Sequence, residues 1–251
     1  MNHDAAGHYE RLAATYDQTW GHRPDYVEWM NGEILRRLNL TTGDHVADIG
    51  AGTGLFLRRL SEQVSGENPI VCIDPSQQML DRLPADLRVL PVCAYAEDVA
   101  TARVGLPYDK LDVITMKEAI HHVRDIPGTL RGLASWLVPG GRVLVVTAPP
   151  RPEYPLFQAA RDRFAEGHPE PEHIADAMRE AGLHTQLEHQ EFPVTVDREH
   201  YFNLVRNRWM SVLSTFTDEE LDAGLEEMEI AYPQSQLQFA DRFAFVLGRR
   251  P

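Results

Sequence analysis

The sequence predicts an α/β fold: a mostly parallel sheet of seven strands with helices on both faces. Three observations carry this. Apolar runs of strand length recur between stretches with helical spacing. These runs are apolar throughout rather than alternating, as strands covered on both faces are. A glycine-rich turn joins the first of them to a helical pattern, Asp48-Ile49-Gly50-Ala51-Gly52-Thr53-Gly54. Connections of that kind cross over right-handed.

Residues 1–40 read as helical. Tyr9, Leu12, Ala13, Tyr16 and Trp20 form one stripe and Val27, Met30, Ile34 and Leu38 a second, with a break at Gly21-His22-Arg23-Pro24. The strands follow as 45–49, 69–73 ending at Asp74, 87–92, 111–115 and 142–147, the last preceded by a helix at 127–137 and by Pro139-Gly140-Gly141. Ser76 is placed to cap a helix carrying Met79, Leu80 and Leu83. Pro171 and Gly182 bracket a helix at 172–181. A strand-like stretch spans 183–196, a mainly helical one 197–230, and a last strand 241–248. Thr217-Asp218-Glu219-Glu220 is a capping box within the helical stretch.

The turn at 50–54 is the chemical centre. Glycine lets the backbone bend sharply and approach a ligand where a Cβ would clash. A strand–turn–helix of this kind presents a helix start to that ligand. The glycines stand as G-x-G-x-G, not the G-x-G-x-x-G of dinucleotide binders. Asp48 precedes them by two residues and suits a cofactor carrying positive charge. Asp74 stands 24 residues after Gly50, close to the spacing at which an acid meets ribose hydroxyls.

The run Ala47-Asp48-Ile49-Gly50-Ala51-Gly52-Thr53-Gly54 resembles the first motif of class I, Rossmann-like, S-adenosylmethionine-dependent methyltransferases. His121-His122-Val123 after the fourth strand is similar to the small-molecule branch of that family. The resemblance implies a last strand antiparallel to the sheet. It divides the chain into an N-terminal helical lid (1–40), a cofactor-binding core (41–196 and 231–251) and a helical insert (197–230) roofing the substrate pocket. It implies cofactor contacts from Tyr16, Asp48, Gly50, Gly52, Asp74, Pro75, Met79, Ala96, Glu97, Asp98 and Met116.

His122, with His121 beside it, is the candidate catalytic base, since an unperturbed imidazole titrates near neutrality. His22, Arg206 and Arg208 are the candidate substrate contacts. Drawn as one helix, Phe202, Val205, Trp209, Val212, Leu213 and Phe216 make an apolar stripe with Arg206 and Arg208 on either side of it. Adjacent histidines at a helix start converge poorly on one ion, so no metal is expected.

The net charge of −14 argues against nucleic acid or another polyanion as substrate. Cys72 and Cys93 lie in strand patterns and read as reduced core residues. No signal segment or membrane-length apolar run is found. The expectation is a soluble, cytoplasmic monomer or homodimer that moves a methyl group from S-adenosylmethionine to O, N or C of a small molecule in secondary metabolism. The competing readings are a protein that binds this cofactor for a non-methylation reaction, and a nicotinamide oxidoreductase, which the glycine spacing and Asp48 disfavour.

Overall fold

The structure, a computed structural model, describes Thr19, Gly21 and residues 23–251. Tyr16, His22 and the first helical stripe lie outside the described residues.

Helix α1 (Pro24–Leu38) starts on a proline whose missing N–H costs nothing there. Met30, Ile34 and Leu38 of the expected stripe are buried, and Tyr26 rather than the half-buried Val27 completes that face. The chain then runs β1 (Val46–Ile49), α2 (Leu57–Ser61), β2 (Ile70–Asp74), α3 (Gln77–Leu80), β3 (Val89–Cys93), α4 (Ala96–Ala100), β4 (Leu111–Lys117), a 3-10 turn (Ile120–His122), α5 (Ile126–Trp136) and β5 (Leu137–Thr147). After it come α6 (Gln158–Gly167), α7 (Pro171–Glu180), β6 (His184–Asp197), α8 (Arg198–Arg206), a 3-10 turn (Ser211–Thr215), α9 (Asp218–Ala231) and β7 (Gln236–Arg249).

The seven strands form one sheet in the order β3-β2-β1-β4-β5-β7-β6. β7 is antiparallel to both neighbours and the other contacts are parallel. The expected architecture is therefore present. β6 and β7 pair from His184↔Arg249 to Asp197↔Gln236, with α8 and α9 inserted between them.

Strand alternation sorts the core into two layers. Val46, Cys72, Val113, Leu144 and Phe245 pack with α1 on one face. Ala47, Ile73, Ile114, Met116, Val145 and Val246 pack with α5 and α7 on the other. Met116 is thereby only 1% exposed within the second layer, on the opposite face from Asp48. The same logic corrects Cys93: β3 is an edge strand, and this thiol is exposed while Cys72 is buried.

Three further expectations shift. The helical pattern after the glycine turn starts only at Leu57, and α3 stops at Leu80, leaving Leu83 to pack over Gly54. The insert is not one helix. α8 ends at Arg206 in a Schellman motif, with Arg208 N donating to Val205 O (2.9 Å) and Trp209 N to Leu204 O (3.2 Å). Arg208 itself holds the left-handed position (φ 53°) that glycine usually takes. At the end of α7 the equivalent residue is Gly182 (φ 84°), as its sequence position predicts. The capping box at Thr217 forms as expected: its Oγ1 accepts from Glu220 N and Glu220 Oε2 accepts from Thr217 N.

Candidate active site

A cleft of about 980 Å³ opens at the C-terminal ends of the strands, where open α/β sheets hold ligands. One half is built around the glycine turn. Gly50 N and Ala51 N both donate to Ile73 O (2.8 and 3.1 Å), which ties the turn to β2. Asp74 closes the other side: one carboxylate oxygen accepts from Gly52 N (3.0 Å) and the other from Ser76 N (2.9 Å). Burial raises its pKa, and these two N–H donors pull it back.

Asp48 stands beside Asp74 on the cleft floor. Burial, and then the charge of Asp74, push its pKa up to about 7, while Lys117 opposes the rise. A Cβ added at Gly52 would meet nothing within 4 Å, so the turn offers an unobstructed cradle. Pro75 and Met79 line the cleft next to Asp74.

Glu97 and Asp98 reach the cleft wall with their carboxylates already engaged. Glu97 Oε1 accepts from Arg124 N (3.1 Å), while Asp98 accepts from Tyr95 N and pairs with Arg103. Ala96 and Met116 do not border the cleft; both pack into the lower layer. Two of the expected cofactor contacts are thus misplaced by strand and helix phase.

The other half is aromatic. Tyr26, Tyr154, Phe164, Trp209 and Phe243 face it, drawn from α1, the linker after β5, α6, the insert and β7. Tyr154 donates from its hydroxyl to Asp241 Oδ1 at 2.6 Å, and both residues are buried. Burial, then Asp241, hold the Tyr154 phenol well above its usual range. Between the two halves Lys117 projects from the end of β4, with Nζ 4.5 Å from the Phe56 ring centre and 5.4 Å from that of Phe243. Burial lowers its pKa against the attraction of Glu118, Asp241 and Asp48.

Glu118 fixes that strand end. It takes a left-handed backbone (φ 51°), donates its N–H to Val146 O and accepts from Ala148 N with Oε1 (2.7 Å). Backbone strain of this kind persists only where its surroundings enforce it.

The expected histidines are brought to the cleft, joined by a third. His121 lies 4.0 Å from His122 and 4.3 Å from His168, and His168 stacks on Phe164 at 3.7 Å. Burial lowers the pKa of His121 well below the imidazole range and that of His168 below it, so both rings are neutral at pH 7. His121 Nδ1 is buried without a hydrogen-bond partner. His122 is exposed at the cleft wall. Asp125 caps α5 through Gly128 N. Among the described residues no group of three or more His, Cys, Asp or Glu side chains has a metal-binding arrangement.

Arg206 and Arg208 do not flank a stripe over the cleft, because α8 ends between them. Arg206 is exposed and donates to Asn203 Oδ1, while Arg208 donates to Phe216 O and pairs with Asp218. Neither lines the cleft. The polar groups that do line this half, Lys117, Glu118, Tyr154, His168 and Asp241, are given no site role by the sequence expectations. Only Lys117 carried a usable signal: it stands two residues beyond Thr115, which registers with Asp48, so alternation puts all three on one face.

Comparison with known proteins agrees with this geometry. The chain is 27% identical over 149 residues to a demethylmenaquinone methyltransferase of Symbiobacterium thermophilum, covering 56% of this chain and 57% of that protein. It is 33% identical over 121 residues to a ubiquinone biosynthesis O-methyltransferase of Bradyrhizobium diazoefficiens, covering 45% and 43%. It therefore spans about half the length of these curated relatives. The crystal structure of the YcgJ protein from Bacillus subtilis shares the fold, with a TM-score of 0.61 at 18% identity, over 88% of this chain and 97% of that one. The family model described as a methyltransferase domain matches residues 20–194. A match across well over half the chain, on this sheet and this cleft, makes the protein a member of that methyltransferase domain family.

Proposed function

We propose that the chain transfers a methyl group from S-adenosylmethionine to a small acceptor molecule of secondary metabolism. The observation that carries the reading is the pair of acids beside an open glycine cradle: Asp48 and Asp74 with Gly52 between them. These residues fit a nucleoside that carries positive charge and no phosphate. S-adenosylmethionine supplies a methyl group already activated on a sulfonium.

The chain's own part is binding, alignment and exclusion of water. Asp48 answers the cationic end and Asp74 accepts from the ribose hydroxyls, while Pro75, Met79 and Glu97 border the adenine. Alignment of this sort accounts for much of a displacement barrier. The aromatic half suits an acceptor with a flat apolar body, and Tyr154, Asp241, His168 and Lys117 suit one ionisable group on it. Relatives named for quinone intermediates agree with such an acceptor. Phenols and ketoacid-like secondary metabolites share those properties.

The test is product mass. Incubation with S-adenosylmethionine and a panel of phenols and ketoacids is expected to yield a product heavier by one CH2 unit, together with S-adenosylhomocysteine. Binding with the cofactor left intact and an altered acceptor of unchanged mass would instead mean a non-methylation reaction. Uptake of NAD in its place would overturn the reading.

Asp48 makes affinity pH-dependent. With its pKa near 7, it is mostly protonated at pH 6 and mostly ionised at pH 8. Affinity for the cationic cofactor is expected to rise about tenfold over that interval, and binding below pH 7 to release a proton. In the free protein the effect on stability is opposite. The folded state holds this proton more tightly than the unfolded one, so stability falls as pH rises from about 4 to about 7. Calorimetric titration at both pH values, repeated on Asp48→Asn, checks this; the variant should bind more weakly and with no such pH step.

A further inference from the structure

Lysine is rare in this chain. Of its 24 basic side chains only Lys110 and Lys117 are lysines. Lys110 is exposed and donates to Ser135 O at 2.9 Å, a surface contact that arginine also makes elsewhere in the fold. Lys117 is different in every respect. It is partly buried at the cleft, and its Nζ makes no hydrogen bond or ion pair among the described residues. An arginine cannot give up its proton in a protein, whereas a lysine can. Lysine thus stands at the end of β4, where the side chain meets both halves of the cleft.

We propose that the Lys117 amine is the proton acceptor for the attacking hydroxyl or amine of the acceptor molecule. This rests on the methyl-transfer reading above. Position supports it first: Asp48 of the cofactor half lies on one side of Lys117, and Phe243 and the Tyr154–Asp241 pair of the aromatic half on the other. The end of β4 is pinned through Glu118, so the amine is presented from a fixed strand end.

The surroundings also favour the charged product of proton uptake. The faces of Phe56 and Phe243 attract a cation. Asp48, Glu118 and Asp241 act on the amine electrostatically without pairing with it. Burial lowers the pKa of the amine against the attraction of these three acids.

The balance is simple. The acceptor atom forms its bond to the methyl carbon with its own electron pair, and sulfur keeps the pair of the bond that breaks. The acceptor's proton goes to the Nζ lone pair and leaves to water after product release. His121 and His168 stay neutral spectators, and His122 remains the competitor that the experiment must separate.

Two variants and one spectroscopic reading test the assignment. Lys117→Arg should bind S-adenosylhomocysteine within about threefold of the parent, since it keeps the charge beside Asp48 and replaces no group of the cofactor cradle; Lys117→Met removes that charge and is read at saturating cofactor. Their kcat should fall at least about 100-fold with KM for the acceptor nearly unchanged, the range expected for loss of a proton acceptor. The acidic limb of the kcat–pH profile should disappear with it. Protein labelled with 13C-lysine has only two ε-carbon resonances to follow, and that of Lys117 should titrate below the ordinary lysine range. Lys117→Arg keeps the cation over the rings, so its failure to restore kcat separates proton transfer from packing.

Retention of kcat within about fivefold in both variants, with a large loss in His122→Ala, would move the role to His122. Titration of Lys117 in the ordinary lysine range would show a permanent ammonium and overturn the assignment. If the parent protein transfers no methyl group, the reading beneath the assignment falls and the assignment falls too, an outcome distinct from loss in the variants alone.

Discussion

Replacing Asp74 by alanine is expected to weaken binding of S-adenosylhomocysteine by at least about 100-fold, with the fold retained. The carboxylate does two things at once. It holds Gly52 N and Ser76 N, which join the glycine turn to the segment after β2. In the proposed complex it also accepts from the ribose diol. Alanine leaves two partly buried amides without an acceptor, each costing about 1–3 kcal/mol if water does not replace it. It removes a charge-assisted contact to the ligand as well. Asp74→Asn is the informative companion, because its amide keeps one acceptor oxygen and turns the other into a donor facing an N–H. It should fall between the parent and the alanine variant. Calorimetry with S-adenosylhomocysteine, run beside NAD and with a thermal melt for each variant, gives the answer. Undiminished affinity in Asp74→Ala would mean that the nucleoside lies elsewhere.

The cofactor half of this cleft was readable because backbone chemistry wrote it into the sequence. Three glycines and two acids at strand ends can be placed by counting, and Asp48, Gly50, Gly52 and Asp74 converge as counted. The seven strands were readable for a similar reason, since buried parallel strands are apolar throughout. Errors arose where phase decides. Met116 is expected among the cofactor contacts, but a period of two sends it to the face opposite Thr115 and Lys117. The expectation for Arg206 and Arg208 extends a helix through a cap that carries arginine where glycine would announce the end.

The aromatic half was not readable at all. Tyr154, His168 and Asp241 come from a linker, a helix end and an antiparallel strand. They meet only because β7 pairs with β5 and extends past Thr147 at the mouth of the cleft. No local pattern encodes that meeting. Asp241 reads in sequence as an ordinary charge at a strand start, yet it is 2% exposed and bonded to a tyrosine 87 positions away.

Gly50→Ala is expected to cost about 3 kcal/mol of stability, the largest effect of any single methyl group in the cradle. Two terms add. Gly50 has φ 75°, a conformation costing an L-residue about 1–2 kcal/mol. The new Cβ would also stand 2.3 Å from Ala119 Cβ, well inside contact distance, and overpacking of this kind costs about 1–3 kcal/mol. Ala119 leads into the 3-10 turn that carries His121 and His122, so relief by movement would displace the histidine stack. The terms can be separated. Ala119→Gly on the Gly50→Ala background removes the clash and leaves the backbone strain, so about half of the lost stability should return, as measured by urea unfolding. Gly52→Ala makes the contrast. Its φ is 55° and no atom lies near its Cβ position, so it should cost only about 1–2 kcal/mol of stability, from the backbone alone. Its methyl group would stand in the cradle, and the loss there should appear in ligand affinity. Position 50 is thus glycine because β1 and β4 bring their turns together, and position 52 because a ligand comes close. Equal stability loss at the two positions, with no rescue by Ala119→Gly, would refute that division.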